Sequence, residues 1–300
     1  MSDWQIYYRG SLSSCNYSCG YCPFAKTKNT REELRQDQNE VERFTDWVSE
    51  QKSRSLSILF TPWGEALGHR YYRRALVELS RLPQVRRVCI QTNLSAPLID
   101  FEGASKDSLS LWVTFHPGET SLEKFLGKCR ELDAMNVRYS VGIVGMRDHL
   151  NDMEELRRKL SDSVYLWVNA YKREPNYYKA EDLVRIRRVD RHFDINNQRY
   201  PSLGKACRAG ESHFTIDGSG DVRSCHFVDQ VIGNIFRDDI SQLLTPRLCP
   251  VESCGCYIGY IHRPELQLGK LYGDDLLGRI PVSYSNRVSE PLPGKHLRPL

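Results

Sequence analysis

The chain has 300 residues, with 42 Lys and Arg against 38 Asp and Glu and a net charge of +4. This near balance argues against a nucleic-acid or anionic-membrane partner. No run of about 18 apolar residues and no charged-then-apolar leader appears, so a cytoplasmic protein is expected. Ten cysteines without an export signal point to metal rather than to disulfides, because the cytosol keeps thiols reduced.

The first predicted element is a short strand, WQIYYR (4–9), which runs into SSCNYSCGYCPF, where Cys15, Cys19 and Cys22 are spaced CxxxCxxC. TREELRQDQNEVERFTDWVSEQ follows as a helix. Thr30 and Glu33 form a capping box, and Leu34, Val41, Phe44 and Val48 share one helical face. SLSILF (55–60) is an apolar strand, YYRRALVELSRL a helix and VRRVCIQ (85–91) the next strand. Strand LSLWVTF (109–115) precedes a helix capped at Thr120 and Glu123. Strand VRYSVGIV (137–144), helix LNDMEELRRKL, strand VYLWVNA (164–170) and helix KAEDLVRIRRV complete the run. Alternation of this kind predicts an α/β fold, a parallel sheet with right-handed crossovers curled into a partial (β/α)6 TIM-like barrel. Ligands of such sheets sit at the C-terminal ends of the strands. The cysteine loop, TPWGEA, QTN, TFHPGE and GIVGMRD all fall there.

Near residue 200 the pattern changes. FTIDGSGDVRSCHF reads as a hairpin, two β runs around a Gly-rich turn. Residues 1–200 are expected as the core, 201–262 as a small separate cysteine-rich β-hairpin domain and 263–300 as a tail. From Gly273 onward the Pro-rich, polar sequence predicts irregular chain wrapped on the surface. Cys89 and Cys129 stand alone and are expected to be small buried hydrophobes.

A closed zinc site takes four ligands, and so does a four-cysteine iron-sulfur cluster. Three thiolates on one loop leave a position open, for a distant histidine on zinc or for a small molecule on the fourth iron of a [4Fe-4S] cube. CxxxCxxC near the N-terminus, with Tyr21 just before the last cysteine and β/α alternation behind it, resembles the radical S-adenosylmethionine superfamily, most of all a small bacterial branch of unsettled activity. The resemblance extends further along the chain. TPWGEA is similar to the superfamily's Gly-Gly-Glu motif, with Trp63 at the first Gly, followed by Gly64 and Glu65; Glu65 is implied as the acceptor for the methionine ammonium, a charge-assisted pair. QTN implies Thr92 and Asn93 as ribose contacts. VGIVGMRD is similar to GxIxGxxE, with Val141 at the first Gly, Gly145 at the second and Asp148 at the Glu. YLWVNAYK implies Asn169 and Ala170 at adenine, and Tyr21 and Thr114 complete the implied cofactor contacts. Each also has an ordinary reading, Glu65 as an acid at a helix N-terminus and Asn93 as a turn residue. Their order on successive strands joins them.

The second cysteine group, Cys207, Cys225, Cys249, Cys254 and Cys256, with GNI at 233–235 after the hairpin, resembles the Twitch or short SPASM extension. Five thiols are too few for two further clusters, which need about eight at four per cluster. One auxiliary [4Fe-4S] cluster on four of the five is expected, Cys207 and Cys225 being the firmer ligands. A four-cysteine zinc ribbon competes, although its paired CxxC knuckles are missing.

The resemblance implies an oxidoreductase or maturase that cleaves S-adenosylmethionine reductively to a 5'-deoxyadenosyl radical, which abstracts hydrogen from a peptide or protein. Oxidation of a small molecule, as by a dehydrogenase, is one alternative, and a non-enzymatic zinc or iron-sulfur binding module is another. A flavodoxin- or ferredoxin-type electron donor is implied. With 14 residues before Cys15, leader recognition is expected to need a separate binding protein. Thr114, His116 and Glu119 are expected to face the cavity, as are Lys172 and Arg173. His116 is a candidate acid or base near neutral pH, or a local hydrogen-bonder of its loop. Cys254 or Cys256, if not a ligand, can exchange hydrogen with a substrate.

Overall fold

The computed structural model describes residues 3–24 and 27–285. Six strands follow one another with helical crossovers: β1 (Asp3–Arg9), α1 (Arg31–Glu50), β2 (Ser55–Phe60), α2 (Arg70–Arg81), β3 (Val85–Thr92), β4 (Leu109–Phe115), α3 (Leu122–Ala134), β5 (Arg138–Val144), α4 (Leu150–Lys159), β6 (Leu166–Asn169) and α5 (Ala180–Val189). They pair in parallel in sequence order, giving the α/β partial barrel expected. Every β1-to-β6 strand therefore carries its C-terminal end to one rim.

The rest of the chain is made of short pieces. These are α6 (Phe193–Asn196), β7 (Tyr200–Pro201), β8 (Ala206–Cys207), β9 (His213–Asp217), β10 (Asp221–Arg223), β11 (Val231–Asn234), α7 (Ile240–Leu243), β12 (Arg247–Leu248), β13 (Ser253–Cys254), α8 (Tyr257–Tyr260), α9 (Leu268–Tyr272) and α10 (Val282–Ser285). β9 and β10 form the expected hairpin, and β9 pairs in parallel with β1, Ile6 opposite Phe214. The main sheet thus runs β11-β10-β9-β1-β2-β3-β4-β5-β6. It passes through the boundary expected near residue 200, so the cysteine-rich segment is tied to the barrel by a shared strand ladder.

Period-two alternation sorts each strand's side chains onto two faces. Ile6, Tyr8, Ile58, Phe60, Val88 and Ile90 pack outward against Val41, Phe44 and Val48 of α1 and Leu76 and Leu79 of α2. Tyr7, Leu59, Cys89, Trp112 and Trp167 face the concave side, where Tyr257, Tyr260 and Leu277 cover them. α1 carries the expected capping box: the Glu33 amide donates to Thr30 Oγ1, and the Thr30 amide donates to Glu33. The cap of α3 differs from expectation, since Ser121 Oγ, not Thr120, accepts the Lys124 amide. Cys89 and Cys129 are buried as expected.

Residues 273–281 also depart from the surface path expected of them. Leu276, Leu277, Arg279 and Ile280 are buried, and the Gly278 carbonyl accepts from Ser140 on β5. The segment fills the N-terminal mouth of the barrel. Residues 286–300, the remainder of the expected tail, lie outside the described residues.

Candidate functional site

Between β1 and α1 the chain loops across the C-terminal rim, and this loop carries Cys15, Cys19 and Cys22. Side chains of α1 and of the loop itself fix its course. Asp37 Oδ1 accepts the Leu12 amide at 2.9 Å and Glu40 Oε2 the Ser11 amide at 3.2 Å. Asn29 Oδ1 accepts the Ser13 and Ser14 amides, both at 2.8 Å. On the other side the Ser14 carbonyl accepts the Glu65 amide at 3.1 Å. A Cβ on Gly64 would overlap that carbonyl, so only glycine lets the loop after β2 lie so close to the first cysteine.

Glu65, Thr92 and Asn93 come together behind Cys15. Thr92 Oγ1 donates to one Glu65 oxygen at 2.7 Å, as does the Leu67 amide at 3.1 Å; the Asn93 amide donates to the other at 2.6 Å. Burial nevertheless pushes the Glu65 carboxyl up to about 7. Asn93 Nδ2 donates to Asn16 Oδ1 at 3.0 Å and lies 3.9 Å from Cys15 Sγ. Asn16, which sequence reasoning passed over, in turn donates to Ser95 Oγ at 3.0 Å. Its only signal was its place next to the first cysteine.

His116, just beyond β4, is clamped to the loop. Its Nδ1 lies 2.8 Å from the Tyr21 hydroxyl and 3.5 Å from Cys19 Sγ. Burial lowers its pKa to about 4 against the pull of Glu119, so at neutral pH the ring is uncharged.

The other expected contacts are more scattered. Thr114 is half-buried on β4. Val141 is fully buried in the core between sheet and helices, in the middle of β5, and its amide donates to the Tyr165 carbonyl at 2.9 Å. A Cβ on Gly145 would press on Tyr178 and Val168, and its amide donates to the Asn169 carbonyl at 2.8 Å. Asn169 is exposed, Ala170 is buried and Asp148 is exposed. Asp148 is not drawn into the Glu65 group. Arg173 is likewise exposed, whereas Lys172 lines the second cavity.

That cavity, of about 440 Å³, is lined by Cys207, Cys225, Cys249, Cys254 and Cys256. The β8–β12 pairing brings Cys207 beside Arg247, and the Lys205 carbonyl accepts the Cys249 amide at 2.9 Å. The β13–β7 pairing sets Cys254 against Tyr200. Burial and the neighbouring Cys254, Cys207 and Cys249 push the Cys225 thiol up to about 12. Burial, Cys256, Cys207 and Cys249 push Cys254 up to about 11. Cys256 also feels the Lys172, Arg279 and Arg9 cations, which oppose the effect of its burial. It is accessible from the cavity while enclosed by protein.

Among the described residues, five cations and no Asp or Glu line the same cavity: Lys172, Arg199, Lys205, Arg247 and Arg263. Arg247 Nε and Arg263 Nη1 are buried without a hydrogen-bond partner among the described residues. Sequence reasoning missed both, because isolated arginines ordinarily read as surface. Lys172 Nζ donates to the Asn196 and Gly255 carbonyls, and burial lowers its pKa to about 8.

Among the described residues no group of three or more His, Cys, Asp and Glu converges closely enough for a single metal ion. A polynuclear cluster takes its thiolates at separate corners and does not need them to converge on one ion. The second cavity adds unpartnered N–H groups and an excess of cations, suited to a bound group that is negatively charged.

No family model matches the sequence, and no curated relative matches it. Solved structures do. anSMEcpe with bound AdoMet and the Cp18Cys peptide aligns with a TM-score of 0.51 at 15% identity, over 81% of this chain and 82% of that one. The same protein with the Kp18Cys peptide gives 0.54 at 15% identity, over 81% and 80%. SuiB of Streptococcus suis bound to precursor peptide SuiA gives 0.54 at 14% identity, over 81% of this chain and 65% of that one. At such identities these likenesses establish a shared fold, the α/β partial barrel that this chain has in common with proteins solved with AdoMet and with peptides bound.

Proposed function

We propose that the protein is a radical S-adenosylmethionine enzyme acting on a peptide or protein. The observation that carries this reading is the loop of three thiols at the rim of the parallel sheet, with Gly64 pressed against it and Glu65, Thr92 and Asn93 gathered beside Cys15. Cys15, Cys19 and Cys22 would hold a [4Fe-4S] cluster. Bound there with S-adenosylmethionine, it supplies one-electron cleavage of the sulfonium and a 5'-deoxyadenosyl radical that removes hydrogen from the substrate.

The chain's own groups bind and orient. Glu65 is a buried carboxylate able to receive an ammonium, whose arrival would return its pKa toward the ordinary range. Thr92 and Asn93 steady it and offer polar atoms to a ribose. Neutral His116, with Tyr21, holds Cys19 in place and keeps β4 closed against the loop. Thr114 and Asn169 are the further side chains offered to an adenosine, with Gly145 and Ala170 beside them just past the ends of β5 and β6 and Asp148 at the outer edge. Residues 201–262 act as an auxiliary domain whose cavity would hold a second [4Fe-4S] cluster. Four of Cys207, Cys225, Cys249, Cys254 and Cys256, which together line that cavity, would be its ligands.

The peptides bound to anSMEcpe and SuiB on this fold support a peptide or protein substrate. Electrons would come from a flavodoxin- or ferredoxin-type donor.

The test is anaerobic reconstitution with iron and sulfide, then incubation with S-adenosylmethionine and dithionite. 5'-Deoxyadenosine is the expected product, and its absence overturns the reading. Cys15→Ala should abolish it, whereas Cys207→Ala should retain part of the uncoupled cleavage. Equal loss in both would point to misfolding instead.

A further inference from the structure

We propose that Arg263, steadied by Glu265, raises the reduction potential of an iron-sulfur cluster bound in the second cysteine cavity. The inference rests on the reading of that cavity as a cluster site.

Arg263 is the cavity's buried cation, only 7% exposed. Arg199 and Lys205 are exposed and screened by water. Lys172 is committed to backbone carbonyls, and Arg247 Nη2 donates to the Leu243 carbonyl at 3.0 Å. Arg263 Nε donates to Glu265 Oε1 at 2.8 Å and Nη2 donates to the same oxygen. Its Nη1 is left buried and unpartnered among the described residues. A buried guanidinium edge without an acceptor is costly in a folded chain, and a cluster sulfur or thiolate would give it one. Arg263 lines the same cavity as Cys207 of β8 and Cys254 of β13.

Glu265 does not cancel that charge. Its side chain is 46% exposed where that of Arg263 is 7% exposed, so solvent screens the carboxylate far more than the guanidinium. One-electron reduction adds one negative charge to a site whose lining, among the described residues, contains no Asp or Glu. A buried cation and an N–H donor to sulfur both favour that reduced state.

The experiment uses the full chain carrying Cys15→Ala, Cys19→Ala and Cys22→Ala, so that any cluster signal comes from the second cavity. After anaerobic reconstitution, iron is quantified and the cluster is titrated with dithionite and mediator dyes, followed by electron paramagnetic resonance. In this background Arg263→Gln should lower the midpoint potential, and Glu265→Gln, at a half-exposed site, should raise it. An Arg263→Gln midpoint equal to its parent overturns the proposal. Should that variant fail to load iron, a Glu265→Gln midpoint equal to its parent does so. A parent that binds no iron instead refutes the cluster site and the proposal with it, whereas bound iron with unmoved midpoints refutes only the role of Arg263.

Discussion

Glu65 accepts three hydrogen bonds and still has its pKa raised, because full burial outweighs them. The shift from an ordinary 4.5 to about 7 makes stability depend on pH. The folded state holds this proton more tightly than the unfolded chain, so the contribution is complete below about pH 4.5, declines as pH rises and is gone above about pH 7. Its size is of order 3 kcal/mol, at 1.36 kcal/mol per unit. Apoprotein should therefore lose more stability between pH 5 and pH 8 than Glu65→Gln, whose amide does not titrate. Urea unfolding at the two pH values measures the difference. Parallel losses in the two proteins would show that Glu65 is not the titrating group.

At the scale of elements, the cysteine loop is placed by its neighbours more than by its own sequence. The capping box and apolar face of α1 were legible because they are local patterns. Asp37 and Glu40 were not, since acids on a helix ordinarily face water, and here they are buried to receive the loop's amides and, at Asp37, the Tyr71 and Tyr72 hydroxyls of α2. The motif around Gly64 was legible, but the reason for the glycine was not: it lies in the approach of the Ser14 carbonyl from a segment some 50 residues away. The obstructing atoms are backbone, so they cannot step aside cheaply. Gly64→Ala should displace the first cysteine and lower iron loading at Cys15, Cys19 and Cys22. Iron measured in a Cys207→Ala, Cys225→Ala background isolates that loop, and loading equal to the background would show that the loop tolerates the methyl.

Across the whole molecule, the β/α order of the barrel was readable because each strand announces itself within a few residues. What closes the barrel was not. Residues 273–281 are short, polar and without periodicity, yet they supply the concave core with Leu276 and Leu277 and with Arg279, whose guanidinium lies 4.1 Å from the Trp167 ring centroid and 4.4 Å from that of Tyr257. An arginine reads as surface from sequence alone, and only tertiary contact turns it inward. The anchor of this segment is Asp275, 3% exposed, which pairs with Arg87 of β3 at 3.0 Å and Arg138 of β5 at 3.1 Å. One buried carboxylate thus joins the C-terminal segment to two strands. Removing it leaves two largely buried cations facing each other with no anion between them, a loss of about 3–5 kcal/mol by the usual cost of breaking a buried pair. Asp275→Ala should therefore unfold at markedly lower urea, with Trp112 and Trp167 emission shifted to the red as the segment loosens. Asp275→Asn, which keeps the shape and one acceptor, should lose less. An Asp275→Ala protein with unchanged midpoint and emission would mean that the apolar contacts of Leu276 and Leu277 hold the segment without the ion pairs.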